Sequence, residues 1–109
     1  MPINSKRKGK TRELELSHLL TSYGFPARRG QQVKGTEDSP DIECPSLSGI
    51  HIECKGTQKF EKDKFMAQAL KDCGSNMPVV IHRSNRGGWT VTMRLEDFLG
   101  KWIACWEVI

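Results

Sequence analysis

Apolar residues recur along this chain with two different spacings, and each spacing predicts a different kind of element. A first helix is predicted from about Thr11 to the residue before Gly24, where Pro26 prevents it from continuing. Its apolar face follows the i, i+3, i+4, i+7 spacing and consists of Leu16, Leu19, Leu20 and Tyr23. A second helix is predicted over residues 58–73, where Gly74 ends it, and its apolar face consists of Phe65, Met66, Ala69, Leu70 and Cys73. A helical turn is predicted over residues 96–100, with Phe98 and Leu99 facing inward.

Alternating or continuous apolar runs predict five strands, over residues 27–33, 41–44, 50–55, 77–83 and 89–94. Residues 34–39 form a polar loop between the first two strands, and residues 84–88 form a glycine-containing turn before the last. The resulting order is α-β-β-β-α-β-β with a final helical turn. This order predicts an α/β domain with a mixed sheet and a helix on either side.

The strand over residues 50–55 places charged side chains on one face. Because side chains alternate with period two, Ile50, Ile52 and Cys54 face one way, and His51, Glu53 and Lys55 face the other. If residues 41–44 pair with this strand as a hairpin, the carboxylates of Asp41 and Glu53 converge with Lys55 at one strand end. Two adjacent carboxylates repel each other unless a cation neutralises them, and oxygen ligands suit Mg²⁺ or Mn²⁺. The alternative is an exposed ion pair without a metal.

Composition and charge limit the classes of function. The chain has 109 residues, a length that predicts one compact domain, over residues 11–109. Its net charge is +4. Residues 1–10 form a predicted flexible basic arm whose cations are Lys6, Arg7, Lys8 and Lys10. Such arms bind polyanions, commonly nucleic acid, although a solubilising tail is the alternative. Further candidate phosphate contacts, or plain surface charges, are Arg28, Arg29, Lys34, Arg83 and Arg86.

Cysteine and hydrophobic content bear on location and assembly. The cysteines lack zinc-site or redox spacing, and Cys54 and Cys73 fall at apolar positions, so we expect buried, reduced thiols in a cytoplasmic protein. No run of 18 apolar residues predicts a membrane span, and the N-terminal residues are not typical of a secretory signal. Residues 102–109 are rich in tryptophan and isoleucine, which favours a subunit interface over packing on the same domain.

These residues together resemble a known superfamily. The motifs are Gly9-x-x-x-Glu13-x-Glu15-Leu16, then Gly24-Phe25, Pro40-Asp41 and Ile52-Glu53-Cys54-Lys55, preceded by basic residues. Over roughly residues 6 to 100 the chain is similar to the PD-(D/E)xK nucleases, and within them to archaeal-type Holliday junction resolvases and their small phage-encoded relatives. The resemblance implies a restriction-endonuclease-like core, with the mixed sheet flanked by helices.

The resemblance also implies roles for individual residues. Asp41 and Glu53, the backbone carbonyl of Cys54 and the helix-borne Glu13 would bind Mg²⁺ or Mn²⁺. Lys55 would orient the attacking water or offset charge on the phosphate. Gln68 matches a helix glutamine found in many members of the superfamily, although its position at the border of the apolar face favours a surface residue. Glu15 would play a supporting part. His51 shares the face of Glu53 and Lys55 but is interpreted as a partly buried structural histidine.

The function that the resemblance implies is metal-dependent, structure-selective cleavage of DNA, with paired nicks in a four-way junction made by a homodimer. A nuclease of the same fold acting on flaps, ends or single strands is the first alternative. A DNA-binding module without catalysis and a structural subunit of a larger assembly are alternatives from other classes. No small-molecule cofactor and no membrane partner are expected.

Overall fold

A five-stranded mixed sheet forms the centre of the protein, with a helix on each face. The computed structural model describes residues 5–30 and 40–103. In chain order the elements are α1 (Ser5–Ser22), β1 (Arg28–Arg29), β2 (Ile42–Glu43), β3 (Ile50–Lys55), α2 (Lys62–Asp72), β4 (Met77–His82), β5 (Thr90–Met93) and α3 (Leu95–Asp97). A 3-10 turn (Pro45–Leu47) connects β2 to β3, and α3 runs into a π-helical segment (Phe98–Ile103). The predicted α/β class and element order are confirmed.

The strands lie in the sheet in the order in which they occur along the chain. β1, β2 and β3 are successively antiparallel, β3 and β4 are parallel, and β5 is antiparallel to β4. Helix α2 provides the crossover that a parallel pair of strands requires. The predicted hairpin between residues 41–44 and 50–55 is present, with Ile42 opposite Ile52.

The two faces of the sheet are buried against different helices. On the first face, Leu16 of α1 joins a core of strand residues that includes Ile42, Ile52 and Val79. On the second face, Val80 packs with Phe65 and Ala69 of α2. The side chains of β3 that alternate with Ile52 therefore face α2 and not open solvent. Both His51 and Glu53 are buried, with 3% and 2% of their surfaces exposed, so the alternative of an exposed ion pair is wrong for Glu53.

Helix α1 begins earlier than the sequence predicted. It starts at Ser5, so residues 5–10 are a helical extension and not an irregular arm with a cap at Thr11. Neighbouring lysine and arginine side chains do not prevent a helix, because both residues have good helix propensity. The predicted C-terminal ends of α1 and α2 are confirmed to within about one residue, whereas α2 begins at Lys62 and not at residue 58. Gly24 and Gly74 follow α1 and α2 with positive φ angles of 94° and 57°, which glycine adopts without strain.

Several apolar residues that the periodicity assigned to buried faces are exposed. The exposed fractions are 73% for Tyr23 and 49% for Leu70, and Phe98 and Leu99, which were predicted to face inward, are 41% and 51% exposed. Periodicity identifies the apolar side of an element but not how far the neighbouring element covers it. Strand β1 has two residues in the described region. Residues 31–33 of the predicted first strand, the predicted loop 34–39 and the apolar residues 104–109 lie outside the described ranges.

Within residues 5–30 and 40–103, we find no helix with the length and apolar character needed to span a bilayer. The three cysteines of this region, Cys44, Cys54 and Cys73, are buried free thiols, as predicted.

Candidate active site

Two carboxylates from neighbouring strands meet on the face of the sheet that α2 covers. Asp41 immediately precedes β2, and the pairing of Ile42 with Ile52 places it opposite Glu53. Its Oδ2 accepts a hydrogen bond from the Cys54 amide at 2.9 Å, and its own amide donates to the Ile52 carbonyl oxygen at 3.0 Å. The Asp41 side chain is therefore fixed to the strand that contains Glu53.

The pKa values of Asp41 and Glu53 are shifted in opposite directions. Burial, together with the charge of Glu53 and a hydrogen bond to it, raises the pKa of Asp41 from 3.8 to about 7. Burial alone would raise the pKa of Glu53 as well, but hydrogen bonds from His51 and Asp41 hold it below its usual value. Below about pH 7 the pair therefore retains one proton, as expected of adjacent buried carboxylates without a cation.

His51 contacts Glu53 from the same face of β3. Its Nε2 lies 2.8 Å from Glu53 Oε1, and 3% of each side chain is exposed. An ionised carboxylate can only accept, so the imidazole Nε2–H is the donor. His51 is thus fully buried beside a predicted metal ligand, and the interpretation of it as a partly buried histidine underestimated both its burial and its contact.

Lys55 lies at the end of β3, where α2 determines its position. Its ammonium donates a hydrogen bond to Gln68 Oε1 at 2.9 Å and lies 5.3 Å from the centre of the Phe65 ring. A cation over an aromatic face is attracted by the ring quadrupole. The structure therefore places Gln68 in contact with Lys55. From the sequence, Gln68 was a candidate site residue or a surface residue. Phe65 was assigned only to the apolar face of its helix.

Glu13 reaches the vicinity of the pair from α1, on the opposite side of the sheet. Its charge contributes to the raised pKa of Asp41, but its Oε1 accepts a hydrogen bond from Arg29 Nε at 2.9 Å. Arg29, which the sequence analysis named as a candidate phosphate contact or a plain surface charge, is here a partner of Glu13. Glu15, the other glutamate predicted from α1 to act at the site, is ion-paired with both Arg12 and Arg83.

The carboxylate pair of Asp41 and Glu53 determines whether this site can bind a divalent cation. Among residues 5–30 and 40–103, no three His, Cys, Asp or Glu side chains are grouped closely enough to hold a metal by themselves. Mg²⁺, however, is commonly bound by one or two protein carboxylates, with water and substrate phosphate completing its shell. Asp41 and Glu53 fit that pattern, since a cation would replace their shared proton. The Cys54 carbonyl as a ligand stays a prediction.

The Cys54 thiol is not a candidate nucleophile at this site. Burial raises the pKa of the Cys54 thiol, and the nearby carboxylates raise it further. The nucleophilic form of cysteine is the thiolate, so the neutral Cys54 side chain is inert and contributes to the core.

The predicted DNA-binding cations occupy different environments. Lys10 and Arg86 are exposed, Lys8 is partly exposed, and Arg7 is exposed and engaged in an interaction. Arg28 is paired with Glu43 through Nε at 2.8 Å, and Arg83 is paired with Glu15 and donates to the Gly87 carbonyl oxygen. The Lys6 side chain and Lys34 lie outside the described part of the structure.

Reasoning from sequence missed the His51–Glu53 hydrogen bond, the Phe65 ring beneath Lys55 and the pairing of Glu13 with Arg29. The period of two placed His51 on the same face as Glu53, but no feature of the sequence predicted that α2 would bury it. The i, i+3 spacing of Phe65 and Gln68 on α2 is the signal that could have connected both to Lys55.

Comparison with known proteins shows the class of this protein: it is a nuclease of the PD-(D/E)xK type. The model of a family described as "Phage putative PDDEXK endonuclease" matches residues 4–105, so the chain belongs to this family. No curated protein matches the sequence.

The fold is similar to that of a solved archaeal protein. The structure of Archaeoglobus fulgidus Hjc, a Holliday junction resolvase from an archaeal hyperthermophile, matches with a TM-score of 0.57 and 24% sequence identity. The match covers 79% of this chain and 72% of the archaeal chain. The predicted restriction-endonuclease-like core is confirmed.

Proposed function

We propose that this nuclease is a metal-dependent, structure-selective DNA endonuclease that resolves four-way junctions by paired nicks. The observation that supports the catalytic part is the buried Asp41–Glu53 pair, with the Lys55 ammonium two residues beyond Glu53 on the same strand face. The support for the substrate is the similarity of the fold to an archaeal junction resolvase. That similarity is one of fold, so the substrate is the part that most needs a test.

Asp41 and Glu53 would hold Mg²⁺ or Mn²⁺, with Glu13 able to assist if it leaves Arg29. When bound, such an ion supplies a nucleophilic hydroxide near neutral pH and offsets charge that develops on the phosphate. Lys55 is a compact point charge that can approach a phosphate oxygen closely. Gln68 and Phe65 restrict the positions of the Lys55 side chain, and restricting a catalytic group to a useful geometry contributes to rate.

Resolution of a four-way junction requires two nicks on opposing strands, and a two-fold symmetric homodimer would present two sites in a matching arrangement. The apolar side chains exposed on the segment that ends the described structure, among them Leu95, Phe98 and Leu99, are candidates for that interface. The exposed cations of α1 and of the turn before β5 would contact phosphates, which provides affinity for DNA shape without base recognition.

The test compares substrates under identical conditions. Labelled immobile four-way junction, flap and linear duplex are incubated with the full chain in Mg²⁺, and oligomeric state is measured by sedimentation. Symmetric nicks in the junction by a dimer support the proposal. Cleavage of flaps or ends instead would retain the active site and replace the substrate, whereas binding without any cleavage would identify a DNA-binding module on a nuclease fold.

A further inference from the structure

His51 has a structural relationship to the candidate metal site that no family motif assigns. It stands two residues before Glu53 on β3, so the two side chains project from the same face of one strand. Its Nε2 donates to Glu53 Oε1 over 2.8 Å, and both side chains are 97% covered by the protein. A rigid strand separates the two groups by a fixed distance, so the contact does not depend on a mobile loop.

The hydrogen bond constrains the orientation of the carboxylate. With one oxygen held by the imidazole, Glu53 cannot rotate freely about its side-chain bonds, and its carboxylate stays beside Asp41 on the neighbouring strand. Hydrogen bonds of this kind, made by groups behind a metal-binding side chain, commonly change metal affinity by about 10- to 100-fold when they are removed.

We propose that His51 is a positioning residue for the metal site: it holds Glu53 in the orientation that faces Asp41, and so sets the affinity for a divalent cation. This inference rests on the proposed function, since it assumes that Asp41 and Glu53 bind a metal. His51 itself contacts neither substrate nor metal in this account.

A second buried histidine of the same sheet is hydrogen-bonded to the segment after β3 and not to the carboxylate pair. His82, opposite Lys55 in the register of β3 and β4, is 6% exposed. Its Nε2 donates to the Thr57 carbonyl oxygen at 2.7 Å, and its ring stacks on Phe60 with centroids 4.7 Å apart. These contacts fix the segment between β3 and α2. His82 therefore provides a control matched to His51 in burial and residue type.

The experiment uses the full chain and Mn²⁺ alone, titrated by calorimetry, with thermal melting of every variant. The informative pair is His51→Gln and His51→Asn. Glutamine places an N–H donor at about the reach of imidazole Nε2, whereas the shorter asparagine withdraws it from Glu53. We expect His51→Asn to weaken Mn²⁺ binding about 10- to 100-fold and His51→Gln to stay within about threefold of wild type. His82→Gln should lower the melting temperature and leave the Mn²⁺ affinity unchanged.

Equal Mn²⁺ affinities for wild type, His51→Asn and His51→Gln would overturn the proposal. It would also be overturned if both variants bound Mn²⁺ equally weakly and the loss of affinity followed the decrease in their melting temperatures. If His51→Asn does not fold, His51→Phe replaces it, because phenylalanine retains the ring and lacks the donor. Asp41→Asn separates the two claims. Wild-type binding that is lost in Asp41→Asn but unchanged in His51→Asn overturns only the role of His51, whereas no binding by wild type overturns the metal site as well.

Discussion

Asp41 and Glu53 lie opposite each other on adjacent strands, and burial together with the neighbouring charge of Glu53 raises the pKa of Asp41 to about 7. Glu53 remains ionised because His51 and Asp41 donate to it. A buried pair of carboxylates held together by one proton is an unfavourable arrangement for stability and a favourable one for capturing a cation. Functional sites frequently retain such local costs, which the rest of the fold offsets.

The first prediction concerns stability without metal. The pKa of Asp41 is raised on folding. The contribution of its protonated form to the stability of the folded state is therefore fully present below about pH 4 and is lost as pH rises through about 7. Asp41→Asn removes this titration while its amide oxygen can still accept from the Cys54 amide. At pH 8 the metal-free variant should melt about 5 °C above wild type, and the difference should shrink at pH 5. Calorimetry or circular dichroism checks this, and a variant that melts below wild type at pH 8 would contradict it.

The second prediction is a pH dependence of metal binding. A cation must displace the proton on Asp41, so Mn²⁺ affinity should rise about tenfold per pH unit up to about pH 7 and level off above it. Calorimetric titrations in buffers of different ionisation enthalpy would report both the affinity and the proton released. An affinity that does not change between about pH 5 and about pH 8, with no proton release, would show that Asp41 is not a ligand.

How much of this site the sequence predicts depends on the range of the interaction. Period two along β3 and the hairpin with residues 41–44 were enough to place Asp41, Glu53 and Lys55 together, because strand geometry is local. The burial of His51 and the pairing of Glu13 with Arg29 depend on how helices pack on the sheet, which a single sequence does not show.

The third prediction separates the two partners at the end of β3. Lys55→Met should lower the single-turnover rate of DNA cleavage at saturating metal by about 100-fold or more, because it removes the charge near the phosphate. Gln68→Ala should lower it by about tenfold, since the charge remains and only its orientation is lost. Lys71→Ala, which alters an exposed lysine near the end of the same helix, is the control. Equal rates for the Gln68 variant and wild type would remove Gln68 from the site.

The fourth prediction concerns the approach of β1 to the segment that contains Asp41. A Cβ atom at Gly30 would lie 1.9 Å from the Pro40 carbonyl oxygen, and the Gly30 amide donates to the Asp41 carbonyl oxygen at 2.7 Å. Gly30→Ala must displace this backbone, so it should cost about 2 kcal/mol in free energy of unfolding and weaken Mn²⁺ binding. Gly49→Ala, where no atom lies within 4 Å of the added Cβ, is the matched control. Urea denaturation that gives the same stability for both variants would refute the prediction.

The fifth prediction distinguishes two arginines of the turn before β5. Arg86 is exposed, so Arg86→Ala should weaken DNA binding and reduce the salt slope of the affinity by about one. Arg83 is paired with Glu15, so Arg83→Ala should lower the melting temperature and leave that slope nearly unchanged. Binding to a labelled junction measured from low to high salt checks both, and the reverse pattern would assign the phosphate contact to Arg83.

The most direct test of the central claim is cleavage of a labelled four-way junction across a Mg²⁺ titration, by wild type and by Asp41→Asn, with the fold of each confirmed by its melting curve. Wild type should nick the junction only when Mg²⁺ is present, whereas Asp41→Asn should bind the junction but not cut it at any Mg²⁺ concentration. Cleavage by folded Asp41→Asn at the wild-type rate would show that the carboxylate pair between β2 and β3 is not the catalytic site.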